Sequence, residues 1–191
     1  MQIFHNKLKS GNNFKAFGGI RLFGNLKVML ICALLISMSI VFKQIAITMG
    51  PFRISFENLP LLISGMIFGP VIGLVTGAVS DILGCFFSGY TINPIITVGA
   101  ASIGLISGLV SFYAFKKNPG LRTVAAVAAA HIIGSMIIKS IGLHVYYQYP
   151  FSALALRVPL YIIIGSVEGF LSVMLLRNKA FSKHIAKVCG R

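Results

Sequence analysis

Residues 50–84 read GPFRISFENLPLLISGMIFGPVIGLVTGAVSDILG, and the predicted fold depends most on this stretch. It is strongly apolar, yet it contains two of the three acidic residues of the chain, Glu57 and Asp81. Glycine recurs at every fourth position from Gly65 to Gly77, a spacing that lets helices approach closely in a membrane. A charged side chain is costly in hydrocarbon and is usually functional where it occurs. The stretch therefore predicts closely packed membrane helices that carry functional charge.

The composition of the whole chain is that of a membrane protein. Of its 191 residues, 57% are hydrophobic and only 10% are charged, and the mean hydropathy is +0.90. A soluble domain carries about 25% charged residues. The length suits a single domain. The three cysteines are an odd number, and they indicate neither a disulfide framework nor a metal site.

Six transmembrane helices are predicted. The apolar runs place them over residues 27–48, 56–68, 70–87, 94–115, 123–143 and 153–176. Gly69-Pro70 separates the second helix from the third, because proline disfavours helix at the preceding residue and suits a helix start. The second helix is short, since a full span needs about 20 residues. The predicted fold is thus an all-α integral membrane protein, a bundle of six transmembrane helices.

The basic residues predict the orientation of the bundle. Thirteen of the 17 lysines and arginines lie in residues 1–27, the loop 115–122 and residues 177–191, and six helices place these three segments on one side. The positive-inside rule makes that side cytoplasmic, with both termini. We expect a basic cytoplasmic segment over 1–26, either resting on the membrane surface or loosely ordered. After it we expect a six-helix membrane domain over 27–177 and a basic cytoplasmic tail over 178–191. The net charge of +14 thus reflects topology rather than nucleic-acid binding.

Six of the seven remaining charged residues fall at one level, near the outer ends of the predicted helices. They are Lys43, Arg53, Glu57, Asp81, Lys139 and Arg157. Because different helices bring charge to the same level, we predict a cavity that opens outward and receives a polar, anionic ligand. Asp81 lies four residues after Gly77 on the smooth helix face, so it should point into the bundle.

Several candidate ligand-binding residues have a structural explanation as well. Arg53 could pair with Glu57 four residues later. Asn93 could cap the helix that follows it. Tyr90 and Tyr149 could belong to an interfacial aromatic belt, or they could stack on a flat ligand ring.

Three other polar residues also have structural explanations. Lys43 is as well explained by extension to lipid head groups as by ligand binding. His131 is predicted to be a packed core histidine. Glu168 lies about 16 Å below Arg157 along the last helix, which favours a structural hydrogen bond over ligand contact.

Motifs for enzymatic or metal chemistry are missing from the sequence. There is no G-x-x-x-x-G-K-[ST] loop for phosphate, no H-E-x-x-H pair and no Cys/His cluster. The histidines, serines and three acids suggest no catalytic triad. We therefore predict a binder or carrier with no catalytic residue, no metal and no cofactor of its own.

Four segments together resemble the folate-family substrate-binding (S) components of energy-coupling factor (ECF) vitamin transporters. They are the run 50–60, Gly69-Pro70-x-x-Gly73 with Gly77-Ala78-x-Ser80-Asp81-Ile82-Leu83-Gly84, Tyr149-Pro150-x-x-Ala153-Leu154-x-x-Arg157-x-Pro159, and Ala33-Leu34-Leu35-Ile36-Ser37. The last is similar to the Ala-x-x-x-Ala coupling motif of the family. The resemblance covers most of residues 28–175.

The resemblance implies a subunit of an ATP-driven importer in a prokaryotic plasma membrane. Such a subunit binds a vitamin from outside with high affinity and delivers it inward. It works with a transmembrane T subunit and two ABC-type ATPases, which use the ATP. The resemblance also implies that Ala33 and Ser37 contact the T subunit.

Folate suits the predicted cavity. Its carboxylates could meet Arg157, Lys139 and Arg53 in charge-assisted hydrogen bonds, and Asp81 could accept from its amino-pyrimidinone edge. Residues 89–100 are more compact than the corresponding loop of folate members, so another vitamin or a small anionic metabolite stays open. A stand-alone secondary carrier would usually show repeat symmetry, which the sequence lacks. A membrane scaffold without a ligand would not need the clustered outer charges.

Overall fold

The computed structural model describes residues 24–49, 52–114 and 118–188. The helices are α1 Leu26–Gln44, α2 Asn58–Phe68, α3 Pro70–Ser88, α4 Pro94–Tyr113, α5 Pro119–Tyr147, α6 Phe151–Ala155, α7 Arg157–Arg177 and α8 Lys179–Val188. Two strands, β1 Ile47–Met49 and β2 Phe52–Ile54, form an antiparallel hairpin. The basic segment predicted over 1–26 lies outside the described residues, except for its last three.

Five helical stretches are long and apolar enough to cross a membrane. They are α1, α3, α4, α5 and the stretch Phe151–Arg177 formed by α6 and α7. The remaining apolar helix, α2, has 11 residues and is the short helix that the sequence predicted. The described chain is thus mostly helical, with five candidate membrane spans.

The break between α2 and α3 falls at Gly69-Pro70, as predicted. Gly69 has a φ of +104°, in a region that glycine adopts readily and other residues rarely do. Pro70 is the first residue of α3, where its missing N–H removes no helical hydrogen bond. The two residues therefore end one helix and start the next without a loop.

The centre of the bundle is α4, which packs against α2, α3 and α5. A Cβ atom on Gly73 of α3 would collide with the backbone carbonyl of Gly104 in α4. The two backbones touch because neither residue has a side chain. The predicted glycine face of α3 is confirmed as a helix-packing face, with Ala100 and Ile103 buried beside it.

The predicted boundary of the first helix is wrong. The helix ends at Gln44 rather than at residue 48, since Thr48 already pairs with Arg53 in the hairpin. The hairpin itself was not predicted. It lies at the same end of the bundle as the last turn of α1, which we call the hairpin end.

The fifth helix is longer than predicted at both ends. It runs from Pro119 to Tyr147, so residues assigned to the flanking loops are helical. Gln148 ends it in the left-handed conformation, with a φ of 54°. Its middle part, His131–Ile138, is π-helical, with wider turns than an α-helix.

The C-terminal residues, predicted to form a basic tail, contain the helix α8. The side chain of Asn178 accepts hydrogen bonds from the backbone N–H groups of Ala180 and Phe181, and so caps the start of α8. Phe181 and Ile185 pack into an apolar cluster with residues of α1, α2, α3 and α7. This helix therefore covers the end of the bundle opposite the hairpin, which we call the α8 end.

Candidate functional site

A cavity of about 270 Å³ opens at the hairpin end of the bundle. It is lined by all eight residues that the sequence predicted to bind ligand, namely Arg53, Glu57, Asp81, Tyr90, Asn93, Lys139, Tyr149 and Arg157. Further lining residues are Lys43, Thr48, Cys85, Thr91, Ile96, Leu143, Tyr147 and Tyr161. The fold thus brings together residues from the hairpin and from α1, α3, α4, α5 and α7.

A buried ion pair forms one wall of the cavity. The ammonium of Lys43 lies 2.7 Å from Asp81 Oδ1, and both side chains are at most 6% exposed. The other carboxylate oxygen accepts a hydrogen bond from Thr97 Oγ1 at 2.8 Å. Lys43 therefore does not extend to lipid head groups. Both oxygens of Asp81 already accept a bond, although each retains a further lone pair for a ligand donor.

A second charged cluster surrounds Glu57 at the start of α2. Its Oε1 accepts a hydrogen bond from Lys139 Nζ at 3.1 Å, and Oε2 lies 3.7 Å from Arg53 Nη2. Burial alone would raise the pKa of the Glu57 carboxyl, but the charges of Lys139, Arg53 and Lys43 lower it to about 2. The i,i+4 pair that the sequence suggested for Arg53 and Glu57 is therefore present.

Arg157 stands apart from both clusters. It is 4% exposed, and its guanidinium donates to Ser140 Oγ at 3.1 Å and to Tyr161 OH at 3.0 Å. Within the described residues it has no carboxylate at ion-pair distance, and its Nε has no hydrogen-bond partner. A buried charge is costly unless it is paired. An anionic ligand group in the cavity can supply that partner.

The lining residues carry a positive formal charge. Four are basic and two are acidic, which gives the cavity a formal charge of +2. A cleft with low-dielectric walls focuses such a field and attracts ions of the opposite sign. The arrangement can therefore bind an anion.

Aromatic rings border the charged groups. The Arg53 guanidinium lies 5.8 Å from the centre of the half-exposed Tyr90 ring. Tyr147 and Tyr149 have ring centres 6.4 Å apart at an interplanar angle of 29°. Rings in such positions can stack on a flat ligand.

Asn93 has the structural role that the sequence offered as one explanation. Its Oδ1 accepts from the N–H groups of Ile95 and Ile96 and so caps α4. Its Nδ2 lies 3.4 Å from the carbonyl of Gly142 in α5. Asn93 lines the cavity as well, so the cap places a polar side chain beside the ligand space.

Tyr161 was not among the predicted site residues, and the partner of Lys43 was not predicted. Tyr161 lies one turn after Arg157, and that spacing could have shown that the two side chains meet. Lys43 was predicted to lie at the level of the cavity, with lipid head groups and a ligand as equally good partners, whereas its partner in the structure is Asp81, 38 residues away in the chain. A single sequence does not reveal that contact.

Below the cavity, His131 and Glu168 form a buried pair between α5 and α7. Their Nε2 and Oε2 atoms are 2.6 Å apart, and Glu168 is fully buried. Neither residue lines the cavity. The predicted structural role of both residues is therefore confirmed.

Ala33 and Ser37 lie on an exposed face of α1. Ser37 Oγ donates to the carbonyl of Ala33 at 2.9 Å, so its hydroxyl is satisfied within the helix. Both side chains are small, and the contact of this face with a partner subunit stays a prediction. In the part of the chain that the structure describes, no three His, Cys, Asp or Glu side chains are grouped to hold a metal ion.

Comparison with known proteins agrees with these observations. The sequence profile of the family described as "ECF-type riboflavin transporter, S component" matches residues 24–182. The folate transporter FolT of Clostridium novyi is 31% identical over 126 residues, which are 62% of this chain and 69% of that protein.

Solved structures are similar too. A crystal structure of FolT bound with folic acid has a TM-score of 0.63 and 26% identity, and the match covers 81% of this chain and 96% of that one. The S component of a bacterial ECF transporter has a TM-score of 0.62 and 20% identity, with 86% and 98% covered, and supports the fold alone. The resemblance inferred from sequence is confirmed. This chain belongs to the S components of ECF-type transporters, a family of membrane transport subunits rather than enzymes.

Proposed function

We propose that this chain is the folate-binding subunit of an ATP-driven vitamin importer. The observation that carries the proposal is Arg157, a buried cation with no carboxylate partner among the described residues, at the wall of a cavity with a formal charge of +2. Folate carries carboxylates at neutral pH. The similarity to FolT, including a structure with folic acid, supports the same ligand.

The carboxylates of the ligand are assigned to the basic residues of the cavity. Arg157 has an unpartnered Nε and a guanidinium held in place by Ser140 and Tyr161, so it can bind a carboxylate without rearrangement. Lys139 and Arg53 share the Glu57 carboxylate and can contribute secondary contacts.

The ring of the ligand is assigned to the aromatic and acidic residues. Asp81 accepts from the amino-pyrimidinone edge through its remaining lone pairs. Tyr90 and Tyr149 stack on the ring from the rim. Asn93 offers a further polar contact beside them.

A second candidate ligand is riboflavin, because the matching family profile is described by that vitamin. Riboflavin is uncharged at neutral pH and would leave the positive charge of Arg157 without a partner. The electrostatics of the cavity therefore favour folate.

The proposed orientation and partners follow from the charge distribution and the family. The basic segments lie on the cytoplasmic side, α2 completes a six-helix bundle in a prokaryotic plasma membrane, and the cavity faces outward. The exposed Ala33 and Ser37 face docks against a T subunit, because small side chains permit close helix approach. Two ABC-type ATPases hydrolyse the ATP that drives release inward.

Ligand identity is tested on detergent-purified protein. Equilibrium dialysis with folate and with riboflavin measures both affinities, and Arg157→Ala should weaken folate binding by about 30-fold or more, since truncating one partner of a buried charge pair costs about 2–5 kcal/mol. Lys27→Ala is the matched control, because Lys27 is exposed at the α8 end. Riboflavin binding without folate binding would favour the second candidate. Equal folate affinity in Arg157→Ala would remove Arg157 from the site.

A further inference from the structure

A second, smaller cavity lies at the α8 end of the bundle, opposite the ligand cavity. Its volume is about 50 Å³, and it lies between α2, α4, α5, α7 and α8. The polar residues that line it are Ser111, Arg122 and Ser182. No part of the proposed function uses this cavity.

Three polar side chains around this cavity make no side-chain hydrogen bond to the described residues. Within the described ranges, the Arg122 guanidinium makes no hydrogen bond or ion pair, and its Nε is buried. The hydroxyls of Ser111 and Ser182 likewise make no hydrogen bond to any described residue. Buried polar groups are nearly always hydrogen-bonded, so the buried Nε of Arg122, beside two hydroxyls that bond no described residue, indicates a missing ligand group. One guanidinium with two hydroxyls is a donor set for an anion with several oxygen atoms.

The charge around the cavity has one sign. Arg177 at the end of α7 and Lys179 and Lys183 of α8 are basic and exposed. The three acidic residues of the chain are Glu57 and Asp81 at the hairpin end and Glu168 in the core. The α8 end thus attracts anions without offering a carboxylate of its own to Arg122.

The position of the cavity selects the kind of anion. Arg122 lies in the first turn of α5, and α8 starts two residues after the end of α7, so both lie where candidate membrane spans end. The rest of the lining is apolar and includes Met66, Leu176 and Phe181. A basic group beside apolar residues between transmembrane helices suits a lipid with an anionic head group.

We propose that this cavity binds the phosphate group of an anionic phospholipid. Arg122 pairs with the phosphate, and the hydroxyls of Ser111 and Ser182 donate to its oxygen atoms. A cavity of about 50 Å³ admits the phosphate alone, and the glycerol and acyl chains lie along the apolar surface outside. The lipid thereby links α5 to α8. The proposal concerns the other end of the bundle, so it does not depend on the vitamin that the first cavity binds.

Native mass spectrometry of the full chain in detergent tests this site. The protein is titrated with phosphatidylglycerol and with phosphatidylcholine of matched acyl chains. We expect preferential binding of phosphatidylglycerol, and a loss of about five- to tenfold in Arg122→Gln. Lys27→Gln removes an exposed basic residue that does not line the cavity, and it should stay within about twofold of the parent protein.

A second variant and a third probe complete the experiment. Ser182→Ala, a milder change than Arg122→Gln, should reduce phosphatidylglycerol binding about two- to threefold, and it carries the test if Arg122→Gln does not fold. Equal binding of the two lipids, or unchanged binding in both variants, would overturn the proposal. Millimolar inorganic phosphate is the third probe. If phosphate binds in an Arg122-dependent way while phosphatidylglycerol does not bind, the occupant is free phosphate and the lipid assignment is wrong.

Discussion

Lys43 and Asp81 lie 38 residues apart in the chain, yet their side chains form a buried ion pair of 2.7 Å that joins α1 to α3. Removing one member leaves an uncompensated buried charge, which costs about 3–5 kcal/mol. Asp81→Ala should therefore lower the melting temperature in detergent strongly. The double variant Lys43→Met, Asp81→Leu removes both charges and should be more stable than Asp81→Ala. If the single variant melts with the parent protein, the pair does not stabilise the bundle.

Tyr161 positions Arg157 through a hydrogen bond of 3.0 Å. Tyr161→Phe removes this bond and keeps the ring, so folate binding should weaken by about 2- to 13-fold, corresponding to about 0.5–1.5 kcal/mol. Calorimetric titration of the ligand measures the change. Tyr146→Phe is the matched control, because Tyr146 is exposed and does not line the cavity. Equal losses in both variants would argue against a positioning role for Tyr161.

The low pKa of Glu57 predicts a stability that depends on pH. The folded-state pKa is about 2 and the ordinary value is 4.5, so the stabilisation is complete above pH 4.5 and is lost as the pH falls towards 2. The difference corresponds to about 3 kcal/mol. Thermal unfolding of the parent protein and of Glu57→Gln should converge in stability as the pH falls through this window. A constant difference between the two proteins would contradict the assignment.

The exposed face of α1 offers a test of partner association. Ala33→Leu or Ser37→Leu adds bulk where close helix approach is proposed, so co-purification with a T subunit should be lost while folate binding is retained. Ser37→Ala keeps the residue small and restores the Ala-x-x-x-Ala pattern, so the complex should form. Loss of ligand binding together with the complex would instead indicate that this face packs within the bundle.

The contact between α3 and α4 leaves no room for a methyl group at Gly73. Gly73→Ala would place its Cβ against the carbonyl of Gly104, and overpacking of this kind costs about 1–3 kcal/mol. The melting temperature should fall accordingly. Gly120→Ala is the control, because a Cβ there has no atom within 4 Å. Equal melting temperatures for the two variants would show that the helices move apart at little cost.

The sequence predicted the parts of the fold that depend on local chemistry. Gly69-Pro70 ends one helix and starts another because of the backbone preferences of those two residues, and these act in any context. The hairpin could not be predicted in this way. Residues 45–48 continue the apolar run of α1, and periodicity does not separate a short apolar strand from a buried helical turn.

For the candidate cavity as well, some features could be predicted from the sequence and others could not. The costly charges in apolar helices indicated Arg157, Lys139 and Asp81, and all of them line it. Their pairing was not accessible from the sequence, because Lys43 meets Asp81 through tertiary packing. That Arg157 has no carboxylate partner among the described residues likewise appears only once the surrounding side chains are placed.

The π-helical segment His131–Ile138 has a consequence for how this site tolerates changes in chain length. An α-helix advances about 100° for each residue, and a π turn takes up an additional residue within its wider ring. The segment therefore sets the angular phase between the alanine-rich start of α5 and Lys139, which directs the ammonium to Glu57. Deleting one residue here would let the segment return to α-helix and keep Lys139 directed towards Glu57, whereas a deletion in the α-helical start of α5 would rotate Lys139 by about 100° relative to the residues before it.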